Sequence, residues 1–341
     1  MLIFGRGSFW AVRLFRTLIV AAAWLAPFAA QADEAPRHLV HYTHQDWTEA
    51  TGAPAPVLDM AQGRDGFLWL ATGEGLFRFD GISFERILPD GNAFPDDYPT
   101  AVLVARNGDV WTAFKASRRF AVYRSGALRF LDAPRASAWI MTIIEGKDGA
   151  IWALPAAFRA EVVGFRNGEW SRIDASRGLA HDDGLSMVLA ADGALWVSTT
   201  SAVSRLPPGG ARFEKIIGPR LDNPRLSVDP EGRVWVSEKR GSYPLTGPGA
   251  RNMLPAPRKP YPTDDAQIRG APRFDREGNL WIATRYDGVQ RVASADPEGP
   301  RAGGSARSFV ETARGSEKLS SDVTNQVMED REGNIWVGTE K

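Results

Sequence analysis

The sequence predicts an all-β protein assembled from one repeated unit, and three observations support this prediction. A five-residue motif recurs seven times: an acidic residue or Asn, then Gly, any residue, an aliphatic residue and Trp. The 341 residues include 34 Gly and 23 Pro, which favour many tight turns. Cysteine is absent, so neither disulfides nor thiolate metal sites can support the fold, and a packed core must do so.

Each part of the motif has a physical role in a β-hairpin. In Asp65-Gly66, the Asp side chain accepts local backbone hydrogen bonds and the Gly adopts positive φ. The following run, residues 68–72, is apolar at every position except its last and is therefore expected to be buried on both faces. The motif Gly and Trp of the seven repeats are Gly66 and Trp69, Gly108 and Trp111, Gly149 and Trp152, Gly193 and Trp196, Gly232 and Trp235, Gly278 and Trp281, and Gly333 and Trp336.

The spacing of the repeats predicts the architecture. Successive motif tryptophans lie 39 to 55 residues apart. In the first repeat, one strand precedes the turn and three follow it, at 68–72, 75–81 and 83–87. Four short strands in a period of this length are typical of one propeller blade. We therefore predict a β-propeller of about seven four-stranded blades, with each motif Trp packed between adjacent blades rather than exposed for binding.

The two ends of the chain bear on how the last blade is completed. Lys341 follows the second strand of the seventh repeat, and residues 38–47 resemble a spare outer strand ahead of the first repeat. In a closed propeller this outer strand would complete the last blade, whose third strand would have no residues. Unpaired strand edges are unfavourable. We therefore expect an incomplete last blade and an N-terminal fragment of a longer protein, with imperfect closure as the alternative.

The first 32 residues have the features of an export signal. Three arginines precede an apolar run at 18–30, and Ala30-Gln31-Ala32 provides a small-x-small cleavage site. This predicts a signal peptide at residues 1–32 and a periplasmic propeller domain at 33–341. An uncleaved anchor is the alternative, and membrane attachment would otherwise require downstream segments. Lys and Arg total 41, as do Asp and Glu, so no basic excess indicates nucleic-acid binding.

Two stretches carry a resemblance to a known family. Residues 61–72, with 75–81 after them, and residues 328–339 resemble the two-component regulator propeller repeat. The resemblance implies the periplasmic sensing region of a membrane-bound regulator, usually followed by a β-sandwich domain, a membrane span and a histidine kinase module. None of those parts is recognisable in this sequence. The resemblance is also compatible with a homodimer of the full-length sensor, and it implies no cofactor.

A ligand of such a propeller is expected at the mouth of the central channel. Residues just past the second strand of a blade can reach that face, and their mixed charges suit a small polar molecule or an oligosaccharide. The candidate ligand-binding residues are Glu74, Lys115, Glu238, Lys239, Arg285 and Tyr286.

Other functions remain as alternatives. A stand-alone periplasmic propeller could bind a protein or a carbohydrate without any output domain. A propeller enzyme similar to the streptogramin lyases would need a histidine and an acid at the mouth, and His181 is the only histidine within the blades. His41 and His44 would point to opposite faces of a strand, which does not favour a metal site. We therefore predict no catalytic residues and no metal ligands.

Overall fold

The computed structural model of the chain describes residues 2–5, 39, 42–89, 97–134, 136–217, 221–238, 241–245, 268–292, 310–313 and 319–341. These residues form 27 strands in seven antiparallel sheets, together with two single 3-10 turns, Glu49–Thr51 and Ala175–Arg177. The two N-terminal strands are β1 (Leu2–Gly5) and β2 (Thr43–Asp46).

Blades one to four follow in chain order, and each pairs four strands by hairpins. Blade one has β3 (Val57–Gln62), β4 (Leu68–Thr72), β5 (Gly75–Phe79) and β6 (Phe84–Ile87). Blade two has β7 (Pro99–Val104), β8 (Val110–Phe114), β9 (Phe120–Arg124) and β10 (Ala127–Phe130). Blade three has β11 (Ile140–Glu145), β12 (Ile151–Pro155), β13 (Val162–Arg166) and β14 (Glu169–Ile173). Blade four has β15 (Gly184–Leu189), β16 (Leu195–Thr199), β17 (Val203–Leu206) and β18 (Glu214–Ile217).

The remaining blades differ in how they are completed. Blade five has β19 (Arg225–Val228), β20 (Val234–Glu238) and β21 (Gly241–Pro244). Blade six has β22 (Arg273–Phe274), β23 (Leu280–Ala283), β24 (Val289–Val292) and β25 (Val310–Ala313). Blade seven has β26 (Thr324–Glu329) and β27 (Ile335–Thr339), which pair with the two N-terminal strands in the order β26-β27-β1-β2.

The sheets form a closed ring. Each innermost strand from β3 to β19 contacts the innermost strand of the next sheet. Strand β19 contacts β22, β23 contacts β26, and β26 returns to β3. The all-β propeller is therefore confirmed. The predicted count of about seven four-stranded blades needs correction, because six sheets have four strands and blade five has three among the described residues.

The prediction of an incomplete last blade is wrong. Strand β1 lies between β27 and β2, with Ile3 opposite Trp336 on one side and Gln45 on the other. The physical reason is that a vacant third position would leave two unpaired edges, and an apolar N-terminal segment pairs with both. The outer strand predicted at 38–47 is confirmed as β2. Strand β1 lies inside the predicted signal peptide, and cleavage after Ala32 remains a prediction.

The motif has the two structural roles that the sequence predicts. All seven motif glycines have positive φ, between 80° and 93°. Each motif Trp packs against the following blade: Trp69 lies 4.9 Å from the ring of Tyr123 and Trp235 lies 5.1 Å from Phe274. At the closure, Trp336 stacks on Trp47 at 5.4 Å. The apolar core is therefore a series of inter-blade layers arranged around the ring.

Candidate functional site

A cavity of about 550 Å³ lies on the axis of the propeller, at the centre of the ring. Six of the seven blades line it, through β3, β7, β11, β15, β26 and the segment that leads into β22. The wall is made by innermost strands, so a ligand held there would contact several blades at once. This cavity is the candidate functional site.

A repeated β-bulge places side chains in this wall. Strands β3, β7, β11, β15 and β26 each shift register at the same point, and a bulge re-aims the extra residue. The extra residue lies eleven positions before the motif Trp in every case, and in every case it lines the cavity. These residues are Leu58, Thr100, Met141, Leu185 and Asn325.

In blade six the residue eleven positions before the motif Trp is Gly270. A Cβ at Gly270 would lie 2.3 Å from the backbone oxygen of Asn325, so a larger residue would push blades six and seven apart. The glycine thus lets the segment that carries Arg269 and Arg273 pack closely against β26. Both arginines line the cavity.

Hydrogen bonds of Asp59 join three blades at the cavity wall. Its Oδ1 accepts from the backbone N–H of Met60 at 3.0 Å and from Nε2 of Gln326 at 2.8 Å. Its Oδ2 accepts from the backbone N–H of Val102 at 2.9 Å. Burial raises the pKa of this carboxyl, while the hydrogen bonds and the charge of Arg273 oppose the rise.

The charged side chains of the wall differ in how they are paired. Glu145 forms an ion pair with Arg106 at 3.1 Å, and Arg269 forms one with Glu340 at 3.1 Å. Arg273 faces the cavity without a hydrogen bond to any residue that the structure describes. Burial lowers the pKa of its guanidinium, and the nearby Asp59 carboxylate partly offsets that effect.

Aromatic side chains border the cavity at one end. The ammonium of Lys115 lies 4.9 Å from the ring centroid of Tyr98 and donates to its hydroxyl. Trp139, which is 38% exposed, lines the same cavity. These groups come from the connections between blades, on the side opposite the motif turns. Together they offer flat apolar faces beside a positive charge, a combination that suits an amphipathic ligand.

The structure brings one of the six candidate binding residues, Lys115, to the cavity wall. Glu238 is buried, with Oε2 accepting from the backbone N–H of Asp222 at 2.9 Å, so its carboxylate supports a loop. Glu74 is exposed and accepts from the backbone N–H of Ala55 at 3.0 Å.

Arg285 and Tyr286 lie together on the exposed loop after β23, with the guanidinium 5.5 Å from the centroid of the Tyr286 ring. Neither of them lines the central cavity. Lys239 lies outside the described residues. The role of all six residues in ligand binding therefore stays a prediction.

The sequence reasoning missed the bulge residues and the polar wall formed by Asp59, Arg273 and Gln326. A signal for the bulge residues was present, namely the constant distance of eleven residues before each motif Trp. No repeated signal marks Arg273, because the other blades place apolar residues or Ser eight positions before their Trp.

Neither of the two histidines that the structure describes lines the cavity. His181 is exposed in the connection between blades three and four and is not a lining residue. His44 is exposed in β2, and His41 lies outside the described residues. In the part of the chain that the structure describes, no cluster of three His, Asp or Glu residues could hold a metal ion.

A second groove lies off the axis, between the outer strands of blades three and four. Its volume is about 600 Å³, and Trp152, Trp170 and Arg166 contribute to its wall. It involves two blades and none of the candidate binding residues. Among the described helical segments, none has the length and apolar character that crossing a bilayer would require.

Comparison with known proteins finds similar propellers of several kinds, among them sensor domains, lyases and a WD40 domain. The extracellular domains of the hybrid two component systems BT4673 and BT3049 of B. thetaiotaomicron both share 18% identity, with TM-scores of 0.65 and 0.66. The matches cover 84% and 87% of this chain but 37% and 40% of those domains, so the chain spans about two fifths of their length.

The second kind of structure is enzymatic. Virginiamycin B lyase from Staphylococcus aureus shares 15% identity at a TM-score of 0.65, over 85% of this chain and 94% of the lyase. Identities this low show the fold alone. No curated protein sequence matches the chain.

The repeat itself gives a more specific result than these structures. Residues 318–341, which contain β26, the motif turn and β27, match the two component regulator propeller family. This is the stretch in which the resemblance at 328–339 is found, so the family prediction is confirmed: the chain carries the two component regulator propeller repeat.

Proposed function

We propose that this chain is the periplasmic ligand-sensing propeller of a two-component regulator, and that its ligand binds in the central cavity. The observation that carries the proposal is the shape of that cavity, which is lined by six blades. A molecule held there would contact several blades together, so its binding would favour one arrangement of the ring over others. Such a change is what an attached output domain could read.

The cavity chemistry supports a binding role rather than catalysis. Its wall combines apolar residues such as Leu58 and Met141 with a few fixed polar groups, which is typical of small-molecule sites. A lyase similar to its structural neighbour would need a histidine at the site, and none of the described residues that line this cavity is a histidine. A stand-alone binding propeller is the second candidate, and it would use the same cavity without an output.

The test is a thermal-stability screen of the exported chain against neutral and acidic oligosaccharides, repeated on two variants. Leu185→Trp places an indole in the cavity wall, whereas Ile82→Trp adds the same group at a site that is 87% exposed. We expect a binding sugar to stabilise the wild type and Ile82→Trp, and to have little effect on Leu185→Trp. Equal stabilisation of all three proteins would place the site elsewhere.

The enzymatic alternative has its own test. Incubation with virginiamycin B, followed by liquid chromatography and tandem mass spectrometry, detects its conversion, because a ring opened by elimination has the same mass as the substrate. We expect no conversion. Conversion that is lost in His181→Ala would overturn the binding assignment in favour of a lyase.

A further inference from the structure

Among the residues that the structure describes, Arg273 is the cavity cation whose hydrogen-bonding capacity is unused. The other cavity cations, Lys115 and Arg269, contact Tyr98 and Glu340 respectively. Arg273 has no hydrogen bond or ion pair within 4 Å among the described residues. Its planar guanidinium carries five N–H donors in a fork that matches an acidic group.

The neighbouring carboxylate does not neutralise this arginine at short range. Asp59 already accepts hydrogen bonds from Met60, Val102 and Gln326, at 2.8 to 3.0 Å. Its attraction for Arg273 is therefore a through-space effect, and Arg273 is one of the residues that line the cavity. An anion could bind there without displacing any bond of the wall.

A second arginine adds positive charge beside the same wall. Arg225 begins β19, the innermost strand next to β22, and its Nη1 donates to the backbone oxygen of Leu185 at 3.1 Å. Leu185 lines the cavity. Burial lowers the pKa of Arg225 to about 10, which still leaves it charged at neutral pH. Positive charges beside a narrow, low-dielectric channel attract anions, although the Asp59 carboxylate near Arg273 offsets part of this attraction.

We propose that Arg273 binds the acidic group of a small organic anion in the central cavity, with Arg225 adding to the attraction. This inference rests on the proposed function, because it assigns a chemical class to the ligand of the same site. The ring or apolar part of the anion would lie against the aromatic border formed by Tyr98 and Trp139. The sensed molecule would then be an acid and not a neutral sugar.

Two fluorescent probes of similar ring structure test the assignment. One is 8-anilinonaphthalene-1-sulfonate, which is an anion, and the other is N-phenyl-1-naphthylamine, which lacks the sulfonate and is neutral. Both are titrated into the wild type, Arg273→Gln, Arg273→Lys and Arg129→Gln. Arg129 lies exposed on the outer strand β10, so its substitution controls for the loss of one positive charge.

We expect the sulfonate to bind the wild type and Arg129→Gln equally, and to bind Arg273→Gln at least tenfold more weakly. Arg273→Lys should retain part of the affinity, because the charge remains but the fork is lost. Binding of the neutral probe should be the same in all four proteins. Because such dyes also bind partly unfolded chains, a cooperative unfolding transition followed by tryptophan fluorescence checks that each variant has folded. Displacement of the sulfonate by glucuronate but not by glucose would extend the result to acidic sugars.

The outcomes separate this inference from the proposed function. If the sulfonate binds Arg273→Gln as well as it binds the wild type, the anion site is overturned. If Leu185→Trp nevertheless abolishes the binding of either probe, the central cavity is still supported as a ligand site. If Leu185→Trp affects neither probe, the cavity does not bind them and both proposals fail.

Discussion

The backbone N–H of Arg331 donates to Oε1 of Gln62 at 2.8 Å, across the junction where blade seven meets blade one. The guanidinium of Arg331 continues over the same junction and donates to the carbonyls of Gly63 and Arg64. In return, Nε2 of Gln62 donates to Glu332 at 2.9 Å. The ends of the ring are thus joined by side chains of the motif turns.

The same contact recurs between other blades. A basic residue two positions before the motif Gly reaches a carbonyl in the turn of the next blade: Arg106 to Gly146, Lys147 to Ala191, and Arg276 to Asp330. The closure therefore uses the interaction that joins neighbouring blades elsewhere. In blade one the equivalent residue is Arg64, which is exposed and makes no such contact among the described residues.

Substitution of Arg331 by Ala should weaken the closure. The variant loses charge-assisted hydrogen bonds to two carbonyls, and we expect a loss of about 1–3 kcal/mol in the free energy of unfolding. Chemical denaturation, followed by tryptophan fluorescence, measures the free energy of unfolding of the variant and of the wild type. Arg64→Ala is the matched control, since it removes the same side chain at the same motif position, and it should cost less than about 0.5 kcal/mol. Equal losses would show that Arg331 does not hold the ring closed.

The sequence predicted the ring well because the ring depends on local signals. Strand 68–72 and the outer strand before blade one were both recognised, since turn residues and apolar patterns lie within a few positions of each other. The cavity depends on long-range contacts instead. Gln326 and Asp59 lie 267 positions apart in the chain, and nothing local predicts their hydrogen bond.

The candidate binding residues lie one strand too far from the axis to line the cavity. They follow the second strand of each blade, whereas the cavity is walled by the innermost strand. Lys115 is the exception, because its side chain extends inward to Tyr98. The residue eleven positions before the motif Trp lines the cavity in five blades. This position can be read from the sequence once the bulge is known.

Asp275 should be more important for stability than the acidic residue of an ordinary turn. Its carboxylate accepts from the indole N–H of Trp281 and from the side chain of Asn279, both at 2.8 Å, and it is buried. Asp275→Ala removes both of these charge-assisted hydrogen bonds from a buried site, so we expect a loss of about 2–4 kcal/mol. Thermal and chemical unfolding both report this change.

The control for this prediction is Asp65→Ala. Asp65 is exposed and accepts one backbone hydrogen bond from Phe67 at 3.3 Å, so its loss should cost less than about 1 kcal/mol. If Asp275→Ala and Asp65→Ala lose the same free energy of unfolding, the hydrogen bond from the indole contributes nothing to stability.

The ion pair of Asp109 and Arg124 should make part of the stability depend on pH. The hydrogen bond from Arg124 holds the pKa of the Asp109 carboxyl below its ordinary value, although burial opposes this. A carboxyl whose pKa is lower in the folded state stabilises the fold above its unfolded pKa of about 4 and loses that contribution as the pH falls below it.

We therefore expect Arg124→Gln to lower the free energy of unfolding at pH 7 by about 0.5–1 kcal/mol, a modest value because the Arg124 side chain is 65% exposed. The difference from the wild type should shrink towards pH 3, as measured by urea denaturation at both values. Arg159→Gln, which removes another exposed arginine, should show little difference at either pH. A deficit in Arg124→Gln that is the same at pH 3 and pH 7 would exclude the ion pair as its cause.

Cleavage after Ala32 and the pairing of β1 exclude each other in one molecule, because β1 is Leu2–Gly5. If β1 belongs to the folded domain, a chain that starts at residue 33 has open edges on β27 and β2 and should lose about 2 kcal/mol or more. Ile3→Pro in the full chain removes the N–H of the central register position and should reproduce part of this loss, whereas Ile3→Val should not.

Mass spectrometry of the exported protein shows which N-terminus exists. Equal stability of the chains that start at residues 1 and 33 would assign the segment to export alone and leave the third position of blade seven without this strand.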